Sequence, residues 1–151
     1  MKMDRQLYFE QLMALVKILT RKYIEFPTSG HQSKYSVVAK NEHDELFELI
    51  VNRKGHIRQD ILTYVMRSKN YGGILIRIDM SGVPHENKAG DLVETPHLHI
   101  YDEAHQNGAE AIALSEVTDL ALLTEITDSF LFFLEKNKVD QTDISIKSNL
   151  V

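Results

Sequence analysis

The sequence predicts an α+β fold: an antiparallel β-meander of four to six strands, with an N-terminal and a C-terminal helix packed on one face. Three observations predict it. Apolar residues recur at spacings of three and four near both ends of the chain. Between those ends lie short segments rich in β-branched and aromatic residues. Tight turns separate the segments, and short turns join antiparallel neighbours, since parallel strands need long crossovers.

From Asp4 to about Lys22, Tyr8, Leu12, Leu15 and Leu19 form an apolar stripe, with Asp4 as N-cap. Pro27 and Gly30 in "EFPTSGHQS" break it. "KYSVVAK" and "ELFELIVN" flank the turn "NEHD" and read as a hairpin. "NRKG" leads into "HIRQDILTYVMR". A second hairpin runs out along "GILIRIDM", turns through "SGVPHENKAGDLVE" and returns along "PHLHIY"; "GAEAIALS" offers one more strand. A final helix is expected from about Asp119 to Lys136, with Leu123, Ile126, Phe130 and Phe133 as its stripe and Thr118 as its cap. Two helical stripes buried against one sheet face leave the other face free for solvent or function.

At 151 residues, 43% hydrophobic and 26% charged, the chain reads as a single globular domain over 1–151, with residues 142–151 a loose tail. It has no cysteine, which excludes disulfides and thiolate zinc sites. No apolar run approaches the roughly 18 residues of a membrane span, and "MKMDRQLYFEQ" lacks a signal-peptide pattern, so a cytoplasmic location is expected. The net charge is −5. Global acidity lowers the expectation of a nucleic-acid partner without excluding a local basic site, and it suits an acidic surface docking on a basic protein partner. Oligomeric state is left open.

The opening for function is "VETPHLHIYDEAHQNG". Side chains alternate along a strand, so Leu98 and Ile100 point one way while His97, His99 and Tyr101 point the other. In "GILIRIDM", Ile74, Ile76 and Ile78 oppose Leu75, Arg77 and Asp79. If the isoleucines join the core, Arg77 and Asp79 share a water-facing patch with the histidines, Arg77 beside His99 and Asp79 beside His97. The loop between the strands adds His85, Glu86 and Asn87. Such a patch can serve acid–base chemistry on a phosphodiester, with Arg77 holding phosphate charge and Tyr101 stacking on a base or donating a proton. It can equally chelate a metal through His97 and His99, with Asp79 or His85 as third ligand, or be an ordinary polar sheet surface. The residues leave cofactor and metal undetermined.

Other candidates carry less. Arg53, Lys54 and Arg58 form a small basic cluster at a hairpin end. Lys34, His31, His43 and His56 read as loop or strand-end residues, and Asp102, Glu103 and His105 as the continuation of the histidine strand. There is no Gly-rich phosphate loop, H-E-x-x-H or nucleophile elbow.

In combination, Asn52 to Gly55, Arg77, Asp79, Pro84, His85, Pro96, His97, His99 and Tyr101 resemble a family of small uncharacterised bacterial and phage proteins, over about two-thirds of the chain. After Tyr101, "DEAHQNG" departs from that family's aromatic-rich continuation. The resemblance implies a shared scaffold and a mobile-element setting, in which toxins and anti-defence proteins occur, and no particular activity.

The leading expectation is a nuclease- or phosphodiesterase-like, toxin-like protein, with His97 and His99 as acid and base, Arg77 as phosphate clamp, Asp79 and Tyr101 beside them, and His85 as a gate. The alternative is a non-catalytic interaction protein, such as an anti-CRISPR-like inhibitor, acting through Glu42, Asp44 and Glu45.

Overall fold

The computed structural model describes residues 4–54 and 61–147. His56 and Arg58 lie outside these residues, as does Gly55. Helix α1 spans Arg5–Ala14, and Asp4 caps it by accepting from the Gln6 amide at 2.7 Å. It is shorter than its stripe predicts. Leu15 turns extended, and Lys17–Leu19 form strand β1 instead. Pairing of Lys17, Ile18 and Leu19 with Ala39, Val38 and Val37 overrides the helical spacing.

After β2 (Tyr23–Glu25), the long strands follow: β3 (Gln32–Ala39), β4 (Leu46–Asn52), β5 (Thr63–Ser68) and β6 (Gly73–Asp79). The small hairpin β7 (His85–Glu86) and β8 (Leu92–Val93) precedes β9 (His97–Ile100), β10 (Ala111–Ala113), α2 (Ile126–Lys136), β11 (Val139–Asp140) and β12 (Ser145–Lys147). The expected meander is there as β3-β4-β5-β6-β9-β10, each pair antiparallel, but four to six strands is an undercount. The sheet has eight strands, because β1 adds beside β3 and β11 adds parallel to β1. The expected long C-terminal helix is divided: Leu120–Leu123 is a 3₁₀ turn capped by Asp119, not Thr118, and α2 begins at Ile126. The tail expected to be loose is in part ordered, since Ser145–Lys147 pair in parallel with Tyr23–Glu25.

The register defines two faces. On the back, Val37, Phe47, Leu49, Val51, Tyr64, Met66, Ile76, Ile78 and Leu98 are buried. Helix α2 covers them with Phe130 and Phe133, whose ring centres lie 5.8 and 5.5 Å from that of Tyr64. Phe9 and Leu12 of α1 join the same buried cluster. The front carries Lys34, Ile50, Val65, Arg77 and His99 in one cross-strand row, and Gln32, Asn52, Thr63, Asp79 and His97 in the next.

One cation lies inside the core. Lys17 is fully buried, and its Nζ donates to the carbonyls of Leu15 (3.1 Å) and Asn137 (2.9 Å). Burial, and secondarily repulsion from Lys138, lower its pKa to about 8. An unfolded lysine keeps its proton to about pH 10.4. Between these values the unfolded state binds more protons, so stability rises with pH. From pH 8 to 10, stability measured by denaturant titration is expected to rise relative to Lys17→Met by on the order of 1–2 kcal/mol. Parallel pH profiles for the two proteins would refute the assignment.

Candidate metal centre

The register sets Arg77 opposite His99 and Asp79 opposite His97, so four of the predicted residues meet on one face. That patch is not a wet surface. His97 and His99 are 1% and 2% exposed, which corrects the expectation of water-facing imidazoles. Two features roof them over. The β7–β8 hairpin is fastened to β10 by Asn87, whose side chain accepts from the Ala111 amide (2.8 Å) and donates to its carbonyl (3.1 Å). The turn 105–110 folds back beneath Tyr101, and Asp102 ties its start by accepting from the His105 amide and ring.

These covers orient the imidazoles. His99 Nδ1 donates to the Gly108 carbonyl at 2.8 Å, and His97 Nδ1 to the carbonyls of Val93 and Glu94 at 3.1 and 3.3 Å. A ring nitrogen facing only carbonyl oxygens carries the proton. In the neutral rings both Nε2 atoms are therefore lone pairs, and both face one oxygen, Asp79 Oδ2, at 3.0 and 3.4 Å. His99 Nε2, buried, has no hydrogen-bond partner. Asp79 Oδ1 accepts from Arg77 Nε (2.9 Å) and the Thr63 hydroxyl (3.1 Å), while Arg77 Nη2 reaches Oδ2 at 2.7 Å.

Burial opposes ionisation of Asp79, but hydrogen bonds from His97 and His99 whenever their Nε2 atoms carry a proton, and from Arg77 in either case together with its charge, hold its carboxyl below the usual carboxylate range. Arg77 is raised above its ordinary value. Burial works against its charge, and Asp79 and Tyr101 outweigh that. The anion is thus permanent, and two imidazole lone pairs converge upon it.

Three acceptor atoms aimed at one another repel unless something positive lies among them. A single divalent cation satisfies all three. Nitrogen and oxygen ligands about 2.0–2.2 Å from a tetrahedral zinc ion lie about 3.3–3.6 Å apart, near the 3.0 and 3.4 Å that separate Asp79 Oδ2 from the two ring nitrogens. Backbone carbonyls holding the distal N–H of each histidine are the usual outer support of metal-bound imidazole. Among the described residues, Asp79, His97 and His99 form the one group whose ligand atoms approach closely enough to hold a metal.

His85 stands beside this group without joining it. Its Nε2 donates to the Ala109 carbonyl at 2.7 Å, and its ring centre lies 4.9 Å from that of His99. Tyr101 is half-buried over Gly108, bonded to Arg77 rather than open for stacking on a base. His31 bonds Thr28 locally, and His43 bonds the Lys40 carbonyl. Thr63 and the carbonyls of Val93, Gly108 and Ala109 were not singled out in the sequence. A hydroxyl beside an expected partner strand was a signal for Thr63. Backbone carbonyls carry none.

A family model described as a family of unknown function, DUF6978, matches residues 5–139. The chain belongs to DUF6978. The matched span takes in Arg77, Asp79, His85, His97, His99 and Tyr101, and with them the whole His–His–Asp group. No curated protein and no solved structure matches this DUF6978 chain. Among the described residues, no helix is long and apolar enough to cross a membrane.

Proposed function

We propose that the chain is a metal-dependent phosphodiesterase, in which Asp79, His97 and His99 hold a divalent first-row ion such as zinc. The observation that carries this is the convergence of the Nε2 atoms of two buried imidazoles on one carboxylate oxygen. With Asp79, His97 and His99 as its three protein ligands, the ion would keep a position for water and would supply hydroxide near neutral pH. Hydroxide added to phosphorus would displace the ester oxygen, which would take up the proton that the water gave to solvent. Solvent approaches the cluster at Asp79 and Arg77, whose side chains are 13% and 35% exposed. Arg77 keeps N–H groups beyond those bound to Asp79, and these can neutralise a phosphate oxygen. His97 and His99 are then ligands rather than the acid and base expected from sequence, and His85, bonded to the Ala109 carbonyl, is a neighbour of His99 rather than a gate.

The non-catalytic alternative has less support. Glu45, one of its three acidic residues, accepts from the Tyr8 hydroxyl and from Asn70, tying α1 to the sheet rather than presenting a free charge. A toxin-like role in a mobile-element setting depends on the chemistry and is tested with it.

Elemental analysis of purified protein is expected to give about one equivalent of metal for wild type and none for the His97/His99 double alanine variant. Wild type with metal should hydrolyse bis(p-nitrophenyl) phosphate and slow growth on expression, and the variant should do neither. Metal-free wild type that stays metal-free under zinc or manganese titration would end the proposal.

A further inference from the structure

We propose that the front face of the sheet is a track for single-stranded nucleic acid, leading from a groove between β2 and β3 to the Asp79–His97–His99 centre; this rests on the phosphodiesterase reading above. The register supplies the track. Lys34, Ile50, Val65 and Arg77 stand opposite one another on successive strands and share the face that carries His99. Three strand spacings, about 14 Å, separate Lys34 from Arg77, a distance that a few extended nucleotides span. Among the described residues, Ile50, Thr63 and Val65 are only half-buried, so this flank of the centre is uncovered by the β7–β8 hairpin and the 105–110 turn.

At the far end lies a cavity of about 520 Å³ lined by Arg21, Lys34, Tyr23 and the hydroxyls of Thr20, Ser33 and Ser36. Among the described residues, neither Arg21 nor Lys34 makes an ion pair. The acid at its rim, Glu25, is paired with Lys147 at 3.7 Å. Tyr23 is 56% exposed. Cations for phosphate, hydroxyl donors and an exposed aromatic face are the elements of single-strand binding, where bases stack without sequence readout. Of the acids, Glu42, Asp44 and Glu45 stand at the β3–β4 turn and Glu125, Asp128 and Glu135 on the α2 side, whereas Glu48 shares the front face, opposite Ser36 and Arg67. A thin strand also suits the centre, whose Arg77 and Asp79 side chains are only 35% and 13% exposed.

The test is fluorescence anisotropy with a 12-nucleotide oligo(dT), metal chelated, over a salt series. Saturable binding with a slope of log K against log salt near −2 is expected, from about three phosphates neutralised by Arg21, Lys34 and Arg77. The Arg21→Glu/Lys34→Glu double variant should bind at least about tenfold more weakly, and Tyr23→Ala about fivefold. Metal content and circular dichroism should be unchanged in both, since these side chains are exposed. No saturable binding at low salt overturns the track. So does equal affinity of the double variant, or thymidine monophosphate competing as well as the 12-mer. Metal content is read separately. Oligonucleotide binding by a protein that takes up no metal would sink the phosphodiesterase and leave the track standing, whereas a metal-loaded protein that ignores the oligonucleotide would do the reverse.

Discussion

Asp79→Asn is expected to lower metal affinity by about 100-fold or more and to destabilise the metal-free protein by about 2–3 kcal/mol. The first effect follows from removing the only anionic ligand, beyond the 10–100-fold that loss of an outer support usually costs. The second comes from leaving Arg77 without its bidentate partner in a half-buried position. Breaking a buried pair costs about 3–5 kcal/mol, and the 35% exposure of the Arg77 side chain reduces that. Linkage separates the two effects. Metal at 100 times its Kd stabilises wild type by about 2.7 kcal/mol, a rise in Tm of roughly 5–10 °C for a chain of this size. The variant's Tm should rise by no more than about 1–2 °C at the same concentration, since a 100-fold weaker site there sees metal at only its Kd. Thr63→Ala, which removes only one bond to Oδ1, should keep the response. A metal-induced rise in Tm for Asp79→Asn equal to that of wild type would place the metal elsewhere.

Gly108→Ala is expected to cost about 2–4 kcal/mol and to weaken metal binding about 10–100-fold, although residue 108 offers no ligand side chain. Its φ is +88°, and a Cβ there would lie 2.6–2.8 Å from three atoms of the Tyr101 ring. Left-handed backbone costs an alanine about 1 kcal/mol, and forcing an atom into packed space adds about 1–3 kcal/mol. The displaced turn carries the carbonyls of Gly108 and Ala109, which hold the rings of His99 and His85. Loss of such outer-shell support accounts for the affinity change. Gly30 is the control. It has the same φ of +88°, with nothing within 4 Å of its Cβ position, so Gly30→Ala should cost only about 1 kcal/mol and leave metal binding intact. In the double-mutant cycle, Tyr101→Ala should relieve most of the clash. Equal stability losses at positions 30 and 108 would show that the Tyr101 contact is of no consequence.

Much of the centre was legible in the chain. Strand alternation is enforced by sterics, so Arg77 and Asp79 had to share a side, as did His97 and His99. A core made from Ile76, Ile78 and Leu98 then set the register that brings the two pairs together. What alternation cannot express is what covers the other face. The hairpin that roofs the histidines is fixed by Asn87 acting on the backbone of Ala111, 24 residues away. The turn that seats His99 depends on the contact of Tyr101 with Gly108.

The same division holds for the fold. The hairpin of β3 and β4 follows from local composition and a short polar turn, and so does the capped start of α1. The end of α1 does not. Leu15 and Leu19 fit a helical stripe as well as they fit a strand, and pairing with β3 decided between them. The parallel additions of β11 beside β1 and β12 beside β2 join segments more than a hundred residues apart, and no local signal announces them.

By itself, then, the sequence determined which side chains stand together on the histidine ribbon, because backbone geometry forces that choice one strand at a time. Only the tertiary structure decided that they are enclosed, with each ring turned by a distant carbonyl so that its free nitrogen meets Asp79. Enclosure and ring orientation come from long-range contacts, which no periodicity encodes, and they turn a polar strand face into a candidate metal centre.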